Sequence, residues 1–181
     1  MDEKEALRLL KKYGQGKPGY SHVLKHSKAV QRLSVEWARK IKANGHRVDV
    51  DFVKTAALLH DIGRFAYPPH TRHKILHGIE GGKILRKEGY PRHARLTERH
   101  IGAGISKSDI KKQGLPLPMK DYVPKTIEEK IVACADNLFC GAERKSVKWS
   151  LKEFEKGVDK ACARKVLKLY KEIQTLLKEK V

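Results

Sequence analysis

The chain has 181 residues and a mass of 20.6 kDa, a length that predicts one domain over 1–181, with a core that needs no disulfide or metal staples. Lys and Arg number 40 against 21 for Asp and Glu, a formal net charge of +19, and 40% hydrophobic content excludes wholesale disorder. The longest apolar runs, such as Ile131–Ala135, fall far short of the ~20 residues that span a bilayer. The opening MDEKEALRLLKKYG is too charged for a signal peptide, and the three cysteines show no CxxC spacing, so free thiols in a reducing cytoplasm are expected. Two Asn and four Gln beside abundant Lys and Glu resemble the composition of thermophilic proteins. Positive charge is densest over 62–125, with 14 basic and 5 acidic residues. Such a field attracts phosphates. Aromatics are 7% and do not interleave with the basic residues, so phosphorylated small molecules suit it at least as well as RNA.

In chain order, Asp2 caps a helix that runs to about Tyr13 and ends at Gly14. Ser21 opens a long helix to about Ala43, closed by Asn44 and Gly45, with Val23, His26, Val30, Leu33, Trp37 and Ile41 on one face. Asp49 or Asp51 opens the next, which carries Phe52, Ala56, Leu59 and His60 to a stop at Gly63. A basic loop with Pro68, Pro69, His70 and His73 precedes helices over about 77–88 and 91–101, the latter with Pro91 in its first turn. Pro116, Pro118 and Pro124 predict an irregular segment over 102–125. Thr126–Glu129 is a capping box before an apolar helix, and Ser150–Glu153 reads as a second box. The last helix places Val158, Cys162, Val166, Leu169, Ile173 and Leu176 in register. No segment shows period 2, and the expected fold is all-α, an orthogonal bundle of about seven helices.

The informative residues are polar groups on apolar faces. His26 fills a slot in the stripe of the longest helix, His60 ends the run AALLH, and Asp136 lies between Val132 and Phe139 at helical spacing. A buried, unpaired carboxylate costs several kcal/mol or takes up a proton. One divalent cation compensates His26, His60, Asp61 and Asp136 together, and imidazole with carboxylate suits Fe, Mn, Zn, Ni, Co or Mg. Cys134 lies about 200° around its helix from Asp136 and should pack in the core. His46 and His93 read as surface residues, and His22 as an exposed or supporting residue one turn before His26.

KHSKAV at 25–30, LLHDIGR at 58–64 and ACADNL at 133–138 together resemble the HD superfamily of metal-dependent phosphohydrolases, in its HDIG branch. The resemblance covers roughly residues 20–140, leaving a helical extension over 150–180. It implies an all-helical fold with His26, His60, Asp61 and Asp136 as metal ligands. His77 and His100 resemble the extra histidines of dinuclear members, with a layout similar to the bacterial dinucleoside-tetraphosphate hydrolases, so one or two ions are implied. The segment after His100 reads Ile-Gly-Ala-Gly and no GYP motif occurs, which disfavours cyclic di-GMP hydrolysis.

A bound ion would supply hydroxide, placing Asp61 at the catalytic centre, and Arg64, directly after HDIG, is the best-placed cation for a phosphoryl oxygen. Lys83, Arg99 and His73 are further substrate candidates, and Asn137 a residue that orients a ligand or water. The expected activity is hydrolysis of a phosphoester or phosphoanhydride, in a nucleotide. The alternative is an HD scaffold that binds a nucleotide or RNA without turnover. Substrate identity and oligomeric state are not legible.

Overall fold

A helix starts where a side chain accepts the first free backbone amides, and such caps set the frame of this chain. Asp2 accepts from the Glu5 amide, Asp49 from Phe52, Thr126 from Glu129 and Ser146 from Trp149. The computed structural model describes residues 1–69, 71 and 73–178. Among them it has nine α-helices: α1 (Glu3–Gly14), α2 (Tyr20–Ala43), α3 (Val50–Leu59), α4 (His77–Lys87), α5 (Pro91–Arg99), α6 (Lys107–Gln113), α7 (Ile127–Asp136), α8 (Val147–Gly157) and α9 (Lys160–Lys178). Two 3-10 turns, Ile62–Phe65 and Lys74–Leu76, lie between α3 and α4. Strands β1 (Phe139–Cys140) and β2 (Glu143–Arg144) form a two-residue antiparallel hairpin.

The all-α expectation holds, with α3 at the centre. Seven of its ten residues are buried, so it is apolar on nearly every side and needs neighbours all round. Phe52, Val53, Ala56 and Ala57 enter the main core with Leu33, Trp37 and Ile41 of α2, Ile131 and Val132 of α7, and Leu169 and Ile173 of α9. Leu58, Leu59 and Ile62 enter a second core with Leu9 and Leu10 of α1, Leu85 and Ala94. Each fully buried leucine contributes about 1.5–3 kcal/mol. The end of α3, which carries His60 and Asp61, is thereby fixed between two packed clusters.

Four details differ from expectation. The helix expected to run to Gly63 stops at Leu59, and the chain tightens into a 3-10 turn where Gly63 meets the backbone of α4. The 102–125 segment contains α6, opened by a Ser106–Asp109 capping box and closed by Gly114 at φ +59°. Ser146, not Ser150, caps α8. The last helix, expected to carry Val158, begins at Lys160, and Val158, at φ −134° and ψ −88°, separates it from α8. No helix among the described residues is long and apolar enough to cross a membrane.

Candidate metal centre

Six side chains from five stretches of chain converge at the end of α3. His26 projects from α2, and His60 and Asp61 follow α3. His77 opens α4, His100 follows α5, and Asp136 is the last residue of α7. His60, His77 and His100 are 0–2% exposed and Asp61 is 7% exposed. Asp136 and His26 are partly open to a cleft of about 340 Å3.

Each imidazole is oriented in the same way. His26 Nδ1 donates to the Gly141 carbonyl at 2.7 Å, His60 Nδ1 to Ala57 at 2.7 Å, His77 Nδ1 to Lys74 at 2.6 Å and His100 Nδ1 to Thr97 at 2.7 Å. A carbonyl oxygen only accepts, so every Nδ1 carries the proton and every neutral ring presents a bare Nε2. Those lone pairs face one another: His26 Nε2 lies 3.2 Å from His60 Nε2, and His77 Nε2 lies 3.1 Å from His100 Nε2. Two lone pairs at that separation repel unless a cation or proton lies between them.

The carboxylates divide the six residues into two groups. Asp136 Oδ1 is 3.0 Å from His26 Nε2 and 3.5 Å from His60 Nε2, while Asp61 Oδ2 is 3.6 Å from His26 and 3.8 Å from His60. The other oxygen, Asp61 Oδ1, is 3.1 Å from His77 Nε2 and 3.6 Å from His100 Nε2. Asp61 thus offers one oxygen to each group. Two ligand atoms bound at about 2.1 Å to one ion, at tetrahedral or octahedral angles, lie about 3.0–3.4 Å apart. Both Nε2–Nε2 separations fall in that interval, and the donor set fits a divalent metal.

The electrostatics agree. Burial would raise the Asp61 carboxyl, but the Arg64 guanidinium and surrounding imidazoles hold it well below the usual carboxylate range. Burial acts against Asp136 in the same way and is overcome by His26 and His60. Burial also opposes charge on His26, yet the hydrogen bond to Asp136 and the charges of Asp136 and Asp61 lift its pKa to about 9. His77 goes the other way, to about 4, because burial outweighs Asp61. The two ionised carboxylates draw a proton onto His26, a place that a bound cation would take, while His77 stays a neutral donor.

Arg64 also lines the cleft, its Nε 3.1 Å from Asp61 Oδ1, as do His22 and Asn137. Asn137 donates to the Gly102 carbonyl at 3.0 Å, tying Asp136 to the loop after His100. The other sequence candidates lie elsewhere. Arg99 is held by Glu129 at 2.9 and 3.1 Å. Lys83 is exposed, 3.5 Å from Glu80. His73 is exposed beside the Lys74–Leu76 turn, and His70 falls outside the described residues. His93, expected at the surface, is buried against Thr55, and His46 is half-buried. Cys134 is in the main core, where burial pushes its thiol up to about 12.

Sequence reasoning missed the backbone that builds the centre. A β-carbon on Gly63 would fall 1.9 Å from the His77 carbonyl oxygen, and one on Gly81 would fall 2.6 Å from the Thr97 methyl. Glycine at both positions lets the Asp61 turn, α4 and α5 meet at backbone distance. It reads a helix start at Ser150–Glu153 and Trp149 as core or a subsite wall, but not that Trp149, Ser150, Glu153 and Phe154 of α8 together line the cleft. Helix periodicity carries no signal for either.

Residues 23–139 match the HD domain family. An uncharacterized protein of Methanocaldococcus jannaschii is 41% identical over 181 residues, covering 98% of this chain and 100% of that protein. Proteins named tRNA (cytidine(56)-2′-O)-methyltransferase are 39% identical in Thermoplasma volcanium and 35% in Picrophilus torridus, each over 97% of this chain. The chain spans about half of each of those two, 48% and 47%. Among solved structures, the HD domain of the L. monocytogenes phosphodiesterase PgpH superposes with a TM-score of 0.54 at 20% identity, covering 93% of this chain and 96% of that one. The same domain in complex with cyclic-di-AMP gives a TM-score of 0.54 at 18% identity, over 96% and 98% of the two chains. The match over most of the chain, with the histidine–aspartate centre at its middle, makes this protein a member of the HD-domain family.

Proposed function

We propose that the chain is a metal-dependent phosphohydrolase that cleaves a phosphoester or phosphoanhydride in a nucleotide. The observation that carries this is Asp61, whose two carboxylate oxygens lie against the His26–His60 and His77–His100 pairs of imidazole nitrogens, with His60 also within 4.8 Å of His100. His26, His60, Asp61 and Asp136 would hold one divalent ion, and His77, His100 and Asp61 a second. Fe, Mn, Zn, Ni, Co and Mg are all compatible with these donors. A divalent ion there would lower the pKa of water towards ~7 and so supply the nucleophile. The chain's own residues do the rest. Asp61 would offer one oxygen to each ion, and the carbonyls of Ala57, Lys74, Thr97 and Gly141 fix the four rings. Arg64 presents a guanidinium to phosphoryl oxygens as charge builds on them. Water adds at phosphorus, the scissile P–O bond breaks, and the leaving oxygen departs protonated.

The HD-like core over 20–140 and the extension over 150–180 act as one domain in this reading, supported by Leu169 and Ile173 of α9 in the main core. Free Cys134, Cys140 and Cys162 support a cytoplasmic setting. Metal content by elemental analysis, followed by turnover on a nucleotide panel, tests the proposal. His60→Ala should remove bound metal and all hydrolysis while helical content stays nearly intact. Turnover that persists in metal-stripped protein would refute it.

A second reading is a nucleotide- or RNA-binding module without turnover. It draws on the net charge of +19 and on the two relatives named as tRNA methyltransferases, of which this chain resembles about half. Tight nucleotide or tRNA binding without hydrolysis across several metals would favour it.

A further inference from the structure

The family match ends at residue 139, yet the cleft over the metal centre is lined in part by a helix that begins at Val147. Trp149, Ser150, Glu153 and Phe154 of α8 line the same cavity of about 340 Å3 as His26, Asp61, Arg64 and Asp136. Phe154 and Glu153 also line an adjoining cavity of about 370 Å3 that reaches His77. One helix therefore lies over both halves of the centre.

Three features give that helix a ligand. Trp149 is half-buried at the cavity wall, which Phe139 also lines, an aromatic surface beside the candidate metal centre with the Lys145 ammonium 6.0 Å from the Trp149 ring centroid. Ser150 is 1% exposed, and its hydroxyl has no hydrogen-bond partner among the described residues. The cap of α8 is Ser146, so the Ser150 hydroxyl is not needed there. Ser27, Ser34 and Thr97 carry buried hydroxyls without a partner as well, but of the four only Ser150 lines the cleft, where a bound group would complete its hydrogen bonding. Finally, about 340 Å3 lies at the small end of small-molecule sites, room for one mononucleotide rather than two.

We propose that α8 is the base-recognition wall of this site: the base of a nucleoside phosphate stacks on Trp149 and hydrogen-bonds Ser150, while its phosphate meets Arg64 and the Asp61 centre. This rests on the phosphohydrolase reading and adds to it the residues that select a nucleotide over another phosphate ester.

The test uses the metal-loaded protein, with AMP and ribose 5-phosphate as probes that share a phosphate and differ in the base. Trp37, the only other tryptophan, is buried in the main core, so emission changes report Trp149. AMP should quench that emission saturably on mixing, and ribose 5-phosphate should not. In Trp149→Ala the quench disappears and AMP binding weakens about tenfold by calorimetry, with ribose 5-phosphate unchanged. Ser150→Ala should weaken AMP about three- to tenfold while its Tm stays equal or rises, because the variant buries no orphan hydroxyl. Equal affinity for the two probes with no change in emission would overturn the proposal. So would failure to bind AMP in a protein that still hydrolyses p-nitrophenyl phosphate. Loss of the underlying hydrolase reading shows separately, as protein without metal and without turnover of that generic ester.

Discussion

Gly63 lies so close to His77 that a β-carbon would fall 1.9 Å from the His77 carbonyl oxygen and 2.7 Å from the Gly81 amide nitrogen. The third residue after His60 in the HDIG motif is thus a contact surface between the Asp61 turn and α4. Gly63→Ala must push α4 outward and carry His77 away from Asp61. We expect a loss of about 3 kcal/mol, the scale of overpacking in a close-packed site. Metal affinity should fall at the His77–His100 group before the His26–Asp136 group. Thermal unfolding with metal titration reads both effects, and an unchanged Tm would sink the argument.

The division of ligands between the two oxygens of Asp61 makes a stoichiometric prediction. His100→Ala removes a donor from one group and leaves the other four donors in place, so bound metal should drop from about two ions per chain to about one. Asp61→Asn weakens both groups together. Elemental analysis of purified variants decides it: a His100→Ala protein that keeps the wild-type metal content would remove His100 from the ligand set.

How much of this was visible in the sequence depends on the kind of signal. Caps are local, and Asp2, Asp49 and Thr126 each open a helix as read. His26, His60, Asp61 and Asp136 stood out because polar groups interrupt apolar faces, an anomaly one helix displays by itself. The resemblance supplied His77 and His100. What stayed hidden are relations between elements. Nothing near residue 141 reveals that the Gly141 carbonyl orients His26, 115 positions earlier. Pro116, Pro118 and Pro124 drew attention from the Ser106 box that starts α6. Ser150–Glu153 fits the capping-box pattern, but Ser146, one turn earlier, takes that position.

Arg99 illustrates a cation whose proximity in sequence to His100 misleads. Its guanidinium meets the Glu129 carboxylate, which also accepts from the Lys125 amide, and the pair is largely buried between α5 and α7. Arg99→Ala should cost about 3 kcal/mol by stranding Glu129. KM for any phosphate substrate should stay unchanged. Urea midpoints and steady-state kinetics separate the two roles, and a raised KM with normal stability would return Arg99 to the substrate site.

Arg64 gives the opposite pattern. It lines the cleft and touches Asp61, so Arg64→Ala should keep the metal and lose about 10²–10³ in kcat, the scale of one donor to a developing charge. Arg64→Lys should recover only part of that, since an ammonium does not reproduce the guanidinium fork. Equal kcat in all three proteins would leave Arg64 as a structural partner of Asp61.

His93 predicts the pH dependence of stability. It is buried in α5 against Thr55 and Phe52, with Tyr90 at its edge and Arg92, Asp49 and the amino terminus nearby. Burial, aided by the amino terminus and Arg92 and opposed by Asp49, lowers its pKa to about 4, against ~6.5 in an unfolded chain. The native ring stays neutral while the unfolded ring takes up a proton, so the unfolded state binds more protons between those values. Stability is fully present above pH ~6.5 and falls as pH drops towards ~4, by at most about 3 kcal/mol from this residue. His93→Gln removes that contribution, and the metal ligands, common to both proteins, cancel in the comparison. Urea midpoints for wild type and His93→Gln should therefore converge as pH falls from 6.5 to 4, and curves that run parallel across that interval would show that His93 is not the group responsible.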